Sequence, residues 1–282
     1  MSDIKQLISI IIPVYNESES IGFLLDEVIN VMSFHKYNFE LIVVNDGSKD
    51  NTHQVLKQLT LKIKELSVIS LRKNYGQTAA MSAGFDNSKG DIVITLDGDL
   101  QNDPNDIPKL ISEINNGFDL VCGWRFDRKD KLINRKIPSK IANKLIAQVT
   151  GLKLHDYGCS LKAFKKEIID DIRLYGELHR FLPVLANIEG AKIKEIKVNH
   201  RSRQYGSSKY GIDRTFRVLM DLLTVWFMTK FLTRPMYGFG FVGIISILTS
   251  LAISSYLIVL KIMGEDIGNR PLLIFALILG IA

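Results

Sequence analysis

Asp97 and Asp99 stand two residues apart, with Gly98 between them, at the end of an apolar run over residues 91–96. Carboxylates at i and i+2, separated by a residue without a side chain, can converge on one point. They offer the hard oxygen ligands that Mg2+ and Mn2+ take. Gln101 adds an amide oxygen two residues on. A cation of this kind usually keeps coordination places open for phosphate groups. A solvated acidic turn is the plain alternative, and position along the fold decides between the two. Asp46-Gly47-Ser48 follows a second apolar run, where an Asp can accept hydrogen bonds from a base or ribose, or simply cap the next helix. Pro13, Tyr15 and Glu17 follow a third such run. The chain carries neither GxGxxG nor GxxxxGK[ST], so neither glycine-rich phosphate loop is present.

The elements that must position these groups alternate along the first half of the chain. Residues 7–15, 39–45, 66–71, 91–96 and 119–124 are short, apolar and rich in β-branched side chains, which predicts buried strands. Between them, Ile21, Leu24, Leu25, Val28 and Met32 keep helical period, and so do Val55, Leu56, Leu59 and Ile63. Residues 78–85 and 105–116 read as two further helices. Asn16 and Glu19 have capping-box spacing ahead of the first helix. Strands apolar on both faces, alternating with helices, predict an α/β fold with a mostly parallel sheet covered on both faces and right-handed crossovers. Ligands in such sheets bind beyond the carboxyl ends of the strands. Each cluster named above falls on that edge, as do residues 72–77 and 124–125. Three acidic sites on one edge suggest a nucleotide whose diphosphate rides on a metal. Further on, residues 138–150 and 177–188 read as helices, 155–164 as a loop or short strand, and 191–200 as a strand.

Composition divides the chain. It has 282 residues, a formal net charge of +6 and 46% hydrophobic residues. The apolar excess gathers after about residue 235. Residues 237–260 carry no charge and, as a helix, are long enough to cross a bilayer. A second run, 271–282, is apolar but short, and is expected to be the start of a second span. Residues 212–232 read as an amphipathic helix suited to the membrane interface, with Trp226 near headgroup level. The expected organisation is therefore a catalytic domain over 1–211, an interface helix or helices over 212–234, and a transmembrane region over 235–282. The apolar N-terminal stretch lacks the cleavage site of a signal peptide, and Lys209, Arg214, Arg217, Lys230 and Arg234 crowd the approach to the span. Both features put the first domain in the cytosol. Cys122 and Cys159 read as small buried residues rather than a disulfide framework, and His155 and His200 as structural rather than metal-bound. The basic stretch before the span suits anionic headgroups or a phosphate-bearing substrate. No nucleic-acid module is present, and nucleic acid is not expected as a partner.

The stretches SIIIPVYNESESI, IVVNDGSKDNT, LRKNYGQTAAMSAGF, GDIVITLDGDLQNDP and DYGCSLKAF resemble, in order and spacing, the family 2 glycosyltransferases of GT-A (Rossmann-like) fold. They are most similar to the polyprenyl-phosphate branch, with the bactoprenol glucosyltransferases and dolichol-phosphate mannose synthases. The resemblance covers roughly residues 7–215. It implies a bacterial plasma-membrane, multi-pass, inverting enzyme that moves one sugar from a nucleotide-diphosphate donor to undecaprenyl or another polyprenyl phosphate. UDP-glucose is the expected donor and Mg2+ or Mn2+ the expected cofactor. Pro13, Tyr15, Glu17 and Asp46 match nucleotide-binding positions, although Asn45 stands where many members have an acid. Asp97, Asp99 and Gln101 match the metal and diphosphate site. Arg125, Arg135 and Ser139 match positions that hold the acceptor phosphate. Asp156 matches a proposed catalytic base, though orienting the sugar or an arginine is an equal alternative. Arg203 and Lys209 match a basic loop that closes on the diphosphate. A GDP-mannose-dependent mannosyltransferase, a processive polysaccharide synthase and an inactive membrane scaffold are the alternatives. The synthase lacks support because no QxxRW-type motif follows, and the intact DGDLQ speaks against the scaffold. A two-helix anchor would also give copies of the chain apolar faces on which to pair.

Overall fold

The computed structural model describes residues 6–127, 143, 146–202, 213–231 and 234–281. The expected helix over 138–150 falls mostly outside them, and Arg135, Ser139, Arg203 and Lys209 lie outside them too. The chain divides into two compact units, Met1–Val225 and Trp226–Ala282.

The first unit is built on a seven-stranded sheet. Its strands are β1 (Leu7–Val14), β2 (Asn38–Asn45), β3 (Leu66–Ser70), β4 (Ile92–Thr95), β5 (Leu120–Arg125), β6 (Lys162–Lys165) and β7 (Ile193–Val198), in the order β3-β2-β1-β4-β6-β5-β7. The β1–β2, β2–β3, β1–β4 and β5–β7 pairs are parallel. β6 runs against both β4 and β5. The mostly parallel sheet expected from the alternation is therefore present, with one reversed strand inside it. Ile8, Ile10, Ile11 and Ile12 of β1 are all at 1% exposure or less, as a strand covered on both faces requires.

Helices α1 (Ile21–Phe34), α2 (Thr52–Thr60), α3 (Gln77–Asp86) and α4 (Ile107–Asn115) follow β1 to β4 in turn. The five periodic apolar residues of α1 are all fully buried. Each such side chain contributes roughly 1.5–3 kcal/mol by leaving water. The capping box expected at Asn16 and Glu19 does not form. α1 begins later, behind Ser20, whose hydroxyl donates to the Glu17 carboxylate at 2.9 Å. Asn16 turns away at φ 55° and accepts from the Lys49 N–H at 2.8 Å, so it joins two loops instead of capping a helix. After β6 come α5 (Lys166–Asp171) and, behind a 3-10 turn at Leu178–Phe181, α6 (Leu182–Ile188).

The helix α7 (Asp213–Phe231) contains the boundary between the two units. In the second unit, α8 (Pro235–Ile262) has 28 residues, and 6% of its most apolar window is buried. It is not a core helix. At about 1.5 Å per residue it spans roughly 42 Å, more than a hydrocarbon core of about 30 Å. α9 (Pro271–Ile281) packs beside it, with the Ser250 hydroxyl donating to the Ala276 carbonyl at 2.7 Å. Its 11 residues reach only about 17 Å. Among the described residues α8 alone is long and apolar enough to cross a membrane, so the multi-pass expectation is not supported.

Candidate functional site

The strand register gathers the candidate residues. β1, β2, β4, β5 and β7 all end on one edge of the sheet. Because β6 is reversed, with Thr95 opposite Lys162, residues 156–161 arrive on that same edge as the segment leading into a strand. On it lies a cleft lined by Pro13, Val14, Tyr15, Glu17, Asp46, Gln77, Ala80, Asp97, Gly98 and Asp99. Six of the sequence candidates, Pro13, Tyr15, Glu17, Asp46, Asp97 and Asp99, thus share one surface.

Asp46 is buried, and its carboxylate accepts the Tyr75 N–H at 2.7 Å and the Gly76 N–H at 2.8 Å. It thereby holds the loop after β3 against the end of β2. Gly47 permits that approach, since a β-carbon there would lie 2.4 Å from the Lys73 carbonyl carbon, at a φ of +64°. Asn45, in place of an acid, accepts the Ser48 N–H at 3.0 Å and shapes the same turn. Gly98 serves β4 in a like way, because a β-carbon would meet Val14 at 2.7 Å.

The carboxyl of Asp97 is pushed up to about 6, first by burial and then by the neighbouring Asp99. A Ser160 hydrogen bond and the charges of Arg125 and Lys162 offset part of this. Gln77 donates its side-chain amide to Asp97 at 2.7 Å. The amide could not have been assigned this role from sequence, because Gln77 opens α3 after β3, and β3 lies three places from β4 in the sheet. Two hard carboxylates whose mutual repulsion already costs energy are a donor set that a divalent cation would relieve. Among the described residues no group of three or more His, Cys, Asp or Glu is placed to hold a metal ion by itself. Gln101 is not on the cleft surface. Its N–H donates to Asp99 at 3.2 Å and its amide reaches the Arg201 carbonyl at 3.5 Å.

Arg125 and Asp156 form a two-pronged pair, Nε to Oδ2 at 2.7 Å and Nη2 to Oδ1 at 2.9 Å, with Asp156 buried and Arg125 partly exposed. The Arg125 and Gly158 N–H groups add further bonds to the same carboxylate at 3.3 and 3.2 Å. Burial works against the charge of Arg125, but Asp156 outweighs it and holds the guanidinium above its ordinary range. Lys162, also buried, donates to the carbonyls of Cys159 and Tyr157 and so fixes the loop that carries Asp156. Cys122 and Cys159 are fully buried, and burial first pushes their thiols up to about 12 and about 11, so they are inert at neutral pH. His155 stacks on Trp124 and pairs with Glu195 at 2.7 Å, a structural arrangement.

Comparison with known proteins sets this geometry in context. Residues 9–173 match the model described as Glycosyl transferase family 2. The dodecaprenyl-phosphate galacturonate synthase of Rhizobium johnstonii is 45% identical over 277 residues, covering 96% of this chain and 82% of that protein. The undecaprenyl-phosphate 4-deoxy-4-formamido-L-arabinose transferase of Proteus mirabilis is 38% identical over 257 residues, covering 91% and 77%. Among solved structures, glucosyl-3-phosphoglycerate synthase from Mycobacterium tuberculosis, in complex with Mn2+ and UDP-glucose, superposes with a TM-score of 0.59 at 18% identity, covering 79% of each chain. Mannosyl-3-phosphoglycerate synthase from Rubrobacter xylanophilus gives 0.62 at 14% identity, covering 78% of this chain and 73% of that one. At these identities the two structures show a shared, GT-A-like fold.

Proposed function

The chain belongs to glycosyl transferase family 2, in its polyprenyl-phosphate branch, and from that premise we propose that it moves a single sugar from a nucleotide-diphosphate donor to undecaprenyl or dodecaprenyl phosphate. The observation that carries this reading is the meeting of Asp46, Asp97 and Asp99 on one cleft at the carboxyl edge of the sheet. The nucleotide lies along Pro13, Tyr15, Glu17 and Asp46, and its diphosphate reaches toward Asp97 and Asp99. A divalent cation bound there supplies charge neutralisation for the departing diphosphate. The acceptor phosphate oxygen forms its bond to the anomeric carbon as the bond from that carbon to the diphosphate oxygen breaks, with inversion. The phosphate is already an anion, so no proton has to leave it.

Asp156 is a positioning residue in this scheme. Both of its oxygens are engaged by Arg125, and it aims that guanidinium. The guanidinium has five N–H donors, two of them spent on Asp156, and its planar fork suits a phosphate. Arg135 and Ser139 on the acceptor side, and Arg203 and Lys209 on the donor side, complete the proposal. UDP-galacturonate replaces UDP-glucose as the leading donor, because the relative at 45% identity is named for galacturonate. α8 anchors the protein, with Lys230 and Arg234 keeping the first unit on the cytosolic side.

The test is a donor panel with the full chain in detergent, undecaprenyl phosphate, and Mg2+ or Mn2+. UDP-galacturonate, UDP-4-deoxy-4-formamido-L-arabinose, UDP-glucose and GDP-mannose are compared. Transfer from UDP-galacturonate, abolished by Asp99→Ala in a folded protein, is expected. No transfer from any donor, or normal turnover by the variant, would reject the reading.

A further inference from the structure

The turn that carries Asp99 is braced from outside the cleft. After Asp99 the chain passes through Leu100 at φ 61°, a left-handed conformation that residues with a β-carbon avoid. Leu100 is buried at 4% exposure, so its side chain anchors the turn in the core. A conformation of this kind persists only where its surroundings over-determine it.

Those surroundings are residues 199–201, at the exit of β7. The Arg201 N–H donates to the Gln101 carbonyl at 2.9 Å, and the Gln101 amide returns to the Arg201 carbonyl at 3.5 Å. Asn102 and His200 form an antiparallel bridge between the two segments. The Asn199 N–H donates to the buried Asp106 carboxylate at 2.6 Å. The Arg201 side chain then locks the position of this ladder. Its Nη1 donates to both Glu27 oxygens on α1, at 3.0 and 2.7 Å, and its Nη2 to Asp103 at 2.8 Å. Asp103 in turn starts the next helical turn by accepting the Asn105 N–H at 3.1 Å. One guanidinium thus ties together α1, the exit of the Asp97–Asp99 turn and the end of β7, without itself lining the cleft.

We propose that Arg201 is a positioning residue for the cation site: by bridging Glu27 and Asp103 it holds the segment from Leu100 to Asp103 in the conformation that presents Asp99 beside Asp97. This rests on the reading of the two carboxylates as that site. The bridge needs two carboxylates gripped at once by a rigid fork, which a lysine's point charge does not reproduce. It is also partly exposed, so its loss should cost the fold little. Its effect belongs in cation affinity.

The experiment measures Mn2+ binding to the full chain in detergent by electron paramagnetic resonance, with and without UDP, beside the thermal midpoint and the Mn2+ dependence of turnover. Arg201→Met should weaken Mn2+ binding by up to about tenfold, since its side chain acts on Asp99 through Asp103 and the intervening turn, and loss of a direct outer-shell partner of a metal ligand costs at least that much. Arg201→Lys should fall between it and the wild type. Saturating Mn2+ should restore most of the turnover, which a general loss of folding would not allow. Glu27→Gln, which removes one arm and spares the arginine, should weaken binding in the same direction. Wild-type affinity in folded Arg201→Met overturns the inference. If that variant does not fold, wild-type affinity in Glu27→Gln overturns it instead. Failure of the wild type to bind Mn2+ at all, with or without UDP, would strike the cation-site reading itself.

Discussion

Replacing Asp97 with asparagine should make the metal-free protein more stable while removing its activity. The carboxyl of Asp97 is raised from 3.8 to about 6 by burial and by Asp99. Between those values the folded protein keeps a proton that the unfolded chain has released. Stability contributed by this group is therefore complete below 3.8, falls as pH rises toward 6, and stays low above it. At 1.36 kcal/mol per pH unit, ionising Asp97 in the folded state costs up to about 3 kcal/mol at neutral pH. Part of the residue opens onto the cleft, so this is a ceiling. The side-chain amide introduced by Asp97→Asn would keep an oxygen for the Gln77 amide and carry no charge. The assay is thermal unfolding of wild type and Asp97→Asn in detergent with EDTA, from pH 4 to 8. The two midpoints should meet at the acid end and diverge to as much as about 6–12 °C above pH 7, with the variant higher. Adding Mn2+ should raise the wild type and leave the variant unmoved. A variant less stable than wild type at pH 8 without metal, or a gap that ignores pH, would refute the account of a carboxylate held by the fold in a buried place beside a second one.

Three further outcomes follow from the geometry. Asp156→Asn should lower turnover and destabilise the fold by at most about 3–5 kcal/mol, because the partly exposed Arg125 loses its counter-charge. Its residual pH–rate profile should keep the wild-type shape, and loss of the acidic limb would return Asp156 to the role of base. Gly47→Ala should cost about 1–3 kcal/mol and raise the KM for donor, since the loop around Lys73 must retreat from the cleft. An unchanged melting curve would contradict that close approach. Leu248→Arg, near the middle of α8, replaces a favourable residue with one costing about 2.5–3.5 kcal/mol at a bilayer centre. It should shift the protein out of the membrane fraction in a flotation assay, and undiminished flotation would argue against α8 as the anchor.

Legibility from sequence followed the range of the physics involved. β1, β2, β4 and β5 could be read because a strand buried on both faces needs an apolar run, a local signal, whereas β3, at the sheet edge, shows itself by its β-branched residues between serines. The shared edge of Asp46, Asp97 and Asp99 followed from the rule for parallel sheets. The capping box failed because Asn16 found a better partner in the backbone of Lys49, 33 residues away. α5 went unforeseen because its six residues are too few to show a period. Gln77 and Arg201 could not be assigned because their partners, Asp97, Glu27 and Asp103, become neighbours only when the sheet is assembled.

The reversed strand has a consequence for engineering. β6 pairs with β5, and the intervening stretch leaves from the rim after Arg125 and returns to it before Lys162. That connection is a cassette clipped at both ends into one hairpin-like pair, while the Asp46 and Asp97 loops hang from other strands. In the proposed scheme that cassette carries the acceptor-side residues, so a graft there that keeps Asp156 and Ser160, the latter bonded to Asp97, should retune which lipid is accepted and spare donor capture.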